Sequence, residues 1–164
     1  MPFIGGADSA AIPFTLQFLM ERYIQSPEVR WADLDPNFHL RHSVYYDYGA
    51  YCRICFLNEY GITSSFLLEH HIGPILFREE CVFRREIRSG DKISIDLALL
   101  KAKEDISRWS IRHNIYKNES ELAAVITIDG AWIDTIKRKL AVPPELISKG
   151  FHIMPKTTDF EWLK

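Results

Sequence analysis

One short stretch of the chain, RWADLDPNFHLRHSVYY, concentrates side chains that can accept, donate or relay a proton. These side chains are Asp33, Asp35, Asn37, His39 and His42. The first four alternate along the chain, so an extended backbone would point all four to one side. The residues that follow are strongly apolar, so the polar cluster directly precedes a segment that is predicted to be buried. The combination predicts a reactive site at the start of a core helix.

Such an arrangement suits attack on a carbonyl carbon. A carboxylate beside the N-terminus of a buried helix can attack the carbonyl itself or activate a water molecule. Free backbone N–H groups and the positive end of the helix dipole stabilise the developing oxyanion, and one donor typically contributes about 3–4 kcal/mol. Thioesters fit this chemistry because the thiolate leaves readily. No G-x-S-x-G motif occurs in the chain, which argues against an α/β hydrolase with a serine nucleophile.

Each of these residues also has a structural interpretation. Asp35 begins the good turn sequence DPN and could act only as a turn or cap residue. Asn37 and His39 could merely satisfy buried polar groups, and His42 could contribute only its backbone. Asp35, His39 and His42 could also bind a metal, but the chain is expected to change from turn to helix inside the His-x-x-His pair. The two imidazoles would then not share a helical face, so we predict no metal and no cofactor.

A long helix must position the polar cluster. The segment SVYYDYGAYCRICFLNEY, residues 43–60, is apolar or aromatic almost all round, with Ser43 as the predicted N-cap and Gly61 just beyond the end. Such a helix should be buried on most sides. Cys52 and Cys55 form a C-x-x-C within it, but no second pair at metal-binding spacing accompanies them. We expect both to pack as small apolar side chains.

A second short helix is predicted over SSFLLEHH, with Thr63 as its cap. Beyond it, the hydrophobic pattern changes to the period of two that is typical of strands. In ILFREECVFRREI, one predicted face carries Ile75, Phe77, Cys81 and Phe83, and the other carries Arg78, Glu80, Arg84 and Glu86. KISIDLALL, RWSIRHNIYK and ELAAVITIDGAWID continue the pattern, with turns at SGD and NES. His113 falls on an apolar strand face and is predicted to be a core histidine. A strand around residues 22–34 and a short helix at PPELI complete the prediction.

The order of these elements predicts an α+β fold in which an antiparallel sheet wraps around one long helix. The 164 residues fit a single domain. One sheet folded over one helix still exposes an edge strand and leaves the apolar helix partly uncovered. We therefore predict a homodimer or homotetramer.

The overall composition excludes several classes of partner. The chain has 20 Lys and Arg against 22 Asp and Glu, so no general charge favours nucleic acid or an anionic membrane. No apolar run approaches the roughly 18 residues of a membrane span. The apolar N-terminal stretch lacks preceding basic residues and is interrupted by Pro13, which argues against a signal peptide. Three cysteines form no disulfide framework. We predict a soluble cytoplasmic protein with no nucleic-acid or membrane partner.

Three segments carry a resemblance to a known family. DLDPNFHLRHSVYY, FRREIRSGDKISI and AWIDTIKRKLAVPPEL, in this order and spacing, resemble the hotdog-fold acyl-CoA thioesterases of the 4-hydroxybenzoyl-CoA thioesterase type. The resemblance implies one hotdog domain over residues 1–164, with a core at about 22–147 and N- and C-terminal extensions. It also implies hydrolysis of an acyl-CoA or acyl-carrier-protein thioester to a free acid and a thiol.

The resemblance further implies catalytic residues. In that family the acidic residue that begins a D-x-x-G-like turn before the helix is the catalytic carboxylate, and Asp35 matches it. His42 matches the position that supplies a backbone N–H to the thioester oxygen. This chain reads PNF where the turn would end in glycine, which is similar to the D-x-N-x-H-V-N-N variant of plant acyl-carrier-protein thioesterases. By that match Asn37 and His39 join the predicted catalytic set, and which of the four residues act directly stays open.

Substrate contacts are predicted from side-chain chemistry. The phosphates of CoA require basic groups, for which Arg84, Arg85 and Arg88 near the strand turn and the KRK cluster at 137–139 are candidates. Tyr45, Tyr46, Tyr48 and Tyr51 are predicted to form one aromatic wall that lines an acyl tunnel, with Tyr45 and Tyr46 as the predicted substrate contacts. Core packing and a dimer interface would explain these tyrosines equally well.

Two other functions stay open at this point. A hotdog dehydratase or hydratase would need a histidine and a carboxylate placed across the substrate β-carbon. A non-catalytic hotdog module would bind acyl groups or a protein partner. Thiol release from acyl-CoA separates such a module from a thioesterase.

Overall fold

Within residues 22–164, seven strands form one sheet, in the order β1–β3–β4–β5–β2 with β6 and β7 added at its margins. The computed structural model describes residues 22–164, so the prediction made for the N-terminal apolar stretch lies outside the described residues. The strands are β1 Tyr23–Gln25, β2 Ile72–Phe83, β3 Ile93–Lys103, β4 Arg108–Lys117, β5 Glu121–Asp134, β6 Lys139–Leu140 and β7 Lys156–Leu163. The helices are α1 His42–Glu59, α2 Ser64–Glu69 and α3 Glu145–Ile153, with a 3-10 turn at Trp31–Asp33.

The predicted antiparallel sheet and long helix are confirmed. All pairs along the main path of the sheet are antiparallel, and among the described strands only β7 runs parallel to its neighbour, β3. The alternating apolar positions of β3, β4 and β5 face α1 and form the core. Its fully buried members include Ile95, Leu97, Leu99, Ile111, Ile115, Ile126, Ile128 and Trp132. Burying an apolar side chain of this size contributes about 1.5–3 kcal/mol, so this layer is the main source of stability.

The ends of α1 differ in how well the sequence predicted them. The helix begins at His42 with Arg41 as N-cap and no side-chain cap, so the prediction of Ser43 as N-cap is wrong. The backbone N–H of Arg41 donates to the carbonyl oxygen of Asp33 at 2.8 Å, and this contact fixes the chain just ahead of the first helical turn. At the other end Gly61 has a φ of 75°, the left-handed conformation expected of a glycine after a helix.

One side of α1 is exposed in the single chain. Val44, Tyr48 and Cys52 are buried against the sheet, whereas Tyr51 and Ile54 are 45% and 42% exposed. One chain therefore leaves the helix partly uncovered, as predicted for a single sheet folded over it, and burial on most sides is not reached within the chain. Apolar groups of this size on a helix surface are suited to contact with another molecule.

The predicted strand over residues 22–34 is wrong beyond Gln25. β1 contains only three residues, which pair with β3. Pro27 cannot donate a ladder hydrogen bond. Further along, the carboxylate of Asp33 folds back onto the guanidinium of Arg30, with an Oδ1–Nη2 distance of 2.7 Å. These two features replace the strand with a loop and a short turn.

β2 carries a bulge at Phe77, which is the extra residue in its pairing with β5. The bulge reverses the alternation of side chains, so Leu76 lines a pocket together with α1 while Phe77 is 56% exposed. The prediction that Ile75 and Phe77 share a face with Cys81 and Phe83 is therefore wrong.

The C-terminal region contains more structure than the sequence predicted. The helix at PPELI was expected to be short, but α3 continues to Ile153, and β7 then pairs with β3. β7 was not predicted because its sequence, KTTDFEWL, has few apolar residues to mark an alternation. Among residues 22–164, no helix is long and apolar enough to cross a membrane.

Candidate active site

The turn before α1 is built around the carboxylate of Asp35. Its Oδ1 atom accepts hydrogen bonds from the backbone N–H groups of Asn37 at 2.8 Å and His39 at 3.0 Å. Phe38 has a φ of 61°, in the left-handed region that favours glycine. Phe38 occupies the position of the glycine in a D-x-x-G turn, and it adopts the left-handed conformation that glycine would adopt there. The other carboxylate oxygen, Oδ2, accepts no hydrogen bond from the described part of the chain.

The first turn of α1 presents free backbone donors next to this turn. The N-cap residue, Arg41, supplies no side-chain acceptor. Within residues 22–164, the N–H groups of His42 and Ser43 donate to no backbone carbonyl. Unpaired donors at the positive end of a helix dipole favour a negatively charged oxygen. The helix start can therefore stabilise an anion or an oxyanion.

A pocket of about 420 Å³ opens at this end of α1. It is lined by Asp35, His39, Leu40, His42, Tyr45, Phe83, Arg84, Arg85 and Glu86. Of the predicted site residues, the structure brings six together here: Asp35, His39, His42, Tyr45, Arg84 and Arg85. Three do not line the pocket, namely Asn37, Tyr46 and Arg88.

His39 lies against an acidic group that sequence reasoning did not assign to the site. Its Nε2 is 3.1 Å from Oε2 of Glu86. A short bridge between His39 and Arg88 and a hydrogen bond from Leu40 N to Ile87 O at 2.7 Å hold the two segments together. The sequence pattern placed Glu86 on a solvent-facing strand side. No periodic signal could reveal this contact, since β2 has ended at Phe83 and the chain there is irregular.

The tyrosines of α1 separate rather than forming one wall. Tyr45 is 3% exposed, and its ring packs edge-on against Phe83 at a centroid distance of 5.0 Å. Burial raises the pKa of Tyr45 to about 12, so its phenol is neutral at physiological pH. Tyr48 instead donates to the carbonyl oxygen of Glu28 at 3.2 Å, and Tyr51 is exposed. Only Tyr45 of this group reaches the pocket.

The basic candidates lie at opposite ends of the sheet. The backbone N–H groups of Arg84 and Arg85 donate to the carbonyl oxygen of Ala123, at the pocket end of β5. The KRK cluster at 137–139 follows the far end of β5, where Asp134 pairs with Ile72. The intervening strand is roughly 35 Å long at 3.3 Å per residue. Arg84 and Arg85 are therefore placed to contact a ligand in the pocket, and the KRK cluster is not.

The cysteines of α1 are packed as the sequence predicted. Cys52 is fully buried and Cys55 is partly buried. Burial raises the pKa of the Cys52 thiol to about 12, which removes its reactivity as a thiolate. In the part of the chain that the structure describes, no group of three or more His, Cys, Asp or Glu side chains is arranged to hold a metal ion.

His113 lies in the core, as predicted, within a polar chain that links the sheet to α1. Its Nδ1 is 2.7 Å from the carbonyl oxygen of Asp96, and its Nε2 is 3.3 Å from Nη1 of Arg53. Nη2 of Arg53 in turn lies 3.4 Å from Oε1 of Glu79 on β2. Desolvation, followed by the nearby Arg53 charge, lowers the pKa of His113 to about 3. The imidazole is therefore neutral, with Nδ1 donating to Asp96 and Nε2 accepting from Arg53.

Solved structures of other proteins show the same architecture. A hypothetical protein from Staphylococcus aureus in complex with CoA aligns with a TM-score of 0.74 at 16% identity, over 84% of this chain and 88% of that one. A 1,4-dihydroxy-2-naphthoyl-CoA thioesterase from Synechocystis aligns with a TM-score of 0.72 at 16% identity, over 80% and 96%. A thioesterase from Thermus thermophilus complexed with coenzyme A and Zn aligns with a TM-score of 0.67 at 24% identity, over 80% and 92%. At these identities the likeness establishes the fold.

A curved antiparallel sheet around one long helix, with a polar pocket at the helix start, defines a hotdog-fold protein, and the predicted fold class is confirmed. The thioesterase-like superfamily matches residues 29–151, three quarters of the sequence, and the chain belongs to that superfamily. The predicted class of enzyme, a thioester hydrolase, is confirmed at this level. No curated protein matches the chain.

Proposed function

We propose that this protein hydrolyses acyl-CoA thioesters in the pocket at the start of α1. One observation supports the proposal above all. Asp35 and the N-terminus of α1, with its unpaired N–H groups, lie in the same pocket, which Arg84 and Arg85 also line. A base, an oxyanion site and phosphate-binding groups are the parts that this reaction needs. An acyl-carrier-protein thioester and the kinship to the D-x-N-x-H variant stay predictions.

The reaction begins at the free oxygen of Asp35. Oδ1 is occupied by two backbone donors and holds the turn, while Oδ2 removes a proton from water, whose oxygen attacks the thioester carbon. Alternatively, Oδ2 attacks that carbon directly and water hydrolyses the resulting anhydride. In both routes the carbonyl oxygen becomes an oxyanion, which the N–H groups of His42 and Ser43 stabilise. The tetrahedral intermediate then expels the CoA thiolate.

His39 is proposed to act on the departing sulfur. Its Nε2 lies 3.1 Å from Oε2 of Glu86, and histidine is the side chain that most often transfers protons in enzymes. The thiolate leaves readily without a proton, so we expect His39 to contribute less than Asp35. Asn37 supports the turn through its backbone N–H, which Asp35 accepts.

A thiol-release screen tests the proposed function. Purified protein is mixed with acetyl-, butanoyl-, hexanoyl-, dodecanoyl-, phenylacetyl- and benzoyl-CoA, and free CoA is followed with a thiol reagent. We expect turnover of at least one substrate with kcat in the ordinary range of about 1–1000 per second. Absence of thiol release from the whole series would contradict the proposal and favour a non-catalytic acyl-binding module. A 2-enoyl-CoA is included, because hydration without thiol release would indicate a hydratase.

We also propose that the chain assembles as a homodimer or homotetramer, and that it acts in the cytoplasm. In the described part of the chain β2 is an edge strand of the sheet, and its apolar residues Leu76, Val82 and Phe83 are 45–50% exposed. A free strand edge with apolar side chains favours pairing with another copy. Light scattering at micromolar concentration should show at least two chains per particle, and Val82→Lys should shift the population toward one. A stable single chain in the unchanged protein would rule this assembly out.

A further inference from the structure

An apolar pocket of about 190 Å³ lies beside the second half of α1. Its walls include Ile54 and Leu57 from α1, Leu76 from β2, and the rings of Trp109 and Trp132 from the sheet. Among the residues of 22–164 that line it, Arg53 is the one that carries a charge. This pocket is separate from the one that contains Asp35, and nothing in the proposed reaction uses it.

The two pockets lie in line between α1 and β2. The helix contributes His42 to the active-site pocket and Leu57 to the apolar one, which are about 22 Å apart at 1.5 Å per residue. β2 runs the opposite way, with Phe83 lining the active-site pocket and Leu76 lining the apolar one. An acyl chain that leaves the thioester carbon along this helix is therefore directed toward the apolar pocket.

An ion pair crosses this path. Arg53 extends from α1 to Glu79 of β2, with a shortest distance of 3.4 Å, and the two side chains are only 15% and 24% exposed. Glu79 lies between Leu76 and Phe83 along the strand. The Arg53 guanidinium reaches back beside Gly49 and forms part of the apolar pocket's wall, so the pair stands at the side of that pocket that faces the active site. Arg53 is also fixed by His113 at 3.3 Å. A longer acyl chain would have to separate two partly buried charges in apolar surroundings, which is unfavourable.

We infer that the Arg53–Glu79 ion pair closes the acyl site short of the apolar pocket, so that the enzyme takes short-chain or single-ring acyl thioesters and excludes long-chain ones. This inference rests on the proposed function and specifies its substrate class. Arg53 and Glu79 are then specificity-determining residues, which shape the site without taking part in bond breaking.

The test compares chain-length profiles of the unchanged protein and of the double variant Arg53→Ala/Glu79→Ala. The measured quantity is kcat/KM for butanoyl-, hexanoyl-, decanoyl- and dodecanoyl-CoA. The unchanged protein should prefer the shorter chains. Removing both charged side chains joins the two pockets. The ratio of kcat/KM for dodecanoyl-CoA to kcat/KM for butanoyl-CoA should then rise at least about tenfold, because one methylene in an apolar pocket already changes kcat/KM about tenfold or more.

A matched control uses the same strand. Arg78→Ala/Glu80→Ala removes an exposed ion pair on the other face of β2 and should leave the profile unchanged. The same change of the chain-length profile in both double variants would overturn the inference, and so would an unchanged profile in Arg53→Ala/Glu79→Ala. Efficient hydrolysis of dodecanoyl-CoA by the unchanged protein would overturn it as well.

Binding measurements separate this inference from the proposed function. S-hexyl-CoA and S-dodecyl-CoA are thioethers that cannot be hydrolysed, and calorimetry gives their affinities for the unchanged protein and for the double variant. The unchanged protein should bind the hexyl ligand at least as tightly as the dodecyl ligand. This measurement does not require the double variant to fold. A length preference without turnover would support the ion-pair barrier and reject the thioesterase activity, whereas turnover without a length preference would do the reverse.

Discussion

Replacing Asp35 with Asn is expected to lower kcat about a hundredfold or more while leaving the melting temperature almost unchanged. The amide keeps an oxygen that can accept the N–H groups of Asn37 and His39, so the turn and the start of α1 should survive. The substitution removes the negative charge and the basicity that activate water or attack the thioester. Steady-state thiol release and thermal unfolding, measured on the same preparations, separate the two effects.

Two other aspartates provide contrasts for this experiment. Asp47 is exposed on α1 and lines neither pocket, so Asp47→Asn should keep normal turnover and stability. Asp33 is buried, and hydrogen bonds from the Arg30 guanidinium lower its pKa. Asp33→Asn should therefore reduce stability rather than kcat. If Asp35→Asn retained near-normal kcat, or lost activity only by unfolding, Asp35 would be a turn residue and the mechanism would be wrong.

Acidification from pH 7 to pH 4.5 is expected to reduce the free energy of unfolding through His113. The folded state holds this imidazole neutral with a pKa of about 3, below its ordinary value of 6.5. Between these two values the unfolded chain binds a proton that the folded chain does not. The stability attributable to His113 is thus complete above about pH 6.5 and falls by about 1.4 kcal/mol per pH unit below it.

His113→Asn isolates this contribution. Asparagine retains an N–H that can donate to the carbonyl oxygen of Asp96 but cannot titrate in this range. The unchanged protein should be the more stable of the two at pH 7, because the variant leaves Arg53 without its imidazole acceptor. Urea unfolding at several pH values should show this advantage shrinking as the pH falls. A constant difference between the two proteins from pH 7 to pH 4.5 would show that His113 is not held neutral in the core.

Much of the fold was determined by local sequence pattern. The period-two alternation of β3, β4 and β5 and the apolar run of α1 predicted these elements, because burying one face of a sheet against a helix requires that spacing. Gly61 likewise marked the end of α1 through its backbone preference, and Thr63 marked the start of α2 through its side-chain oxygen. Thr63 accepts from the N–H of Phe66 at 3.2 Å, as an N-cap should.

The bulge at Phe77 and the position of β7 were decided by tertiary structure. A bulge depends on the register in which β2 pairs with β5. The sequence of one strand does not specify its register with the partner strand. β7 is stabilised by pairing with β3 and by contacts such as the ion pair between Lys101 and Glu161 at 2.6 Å. Such long-range pairing overrides a weak local propensity.

The candidate site divides in the same way. The sequence alone brought Asp35, His39 and His42 to attention, because they are neighbours along the chain and precede a helix whose N-terminus binds negative charge. Only the tertiary structure placed Glu86 against His39 and set the Arg53–Glu79 pair across the cleft. Those contacts join residues 47 and 26 positions apart. The packing of the whole sheet onto α1 determines these two contacts. The spacing of residues within one segment of the sequence cannot specify a contact with another segment.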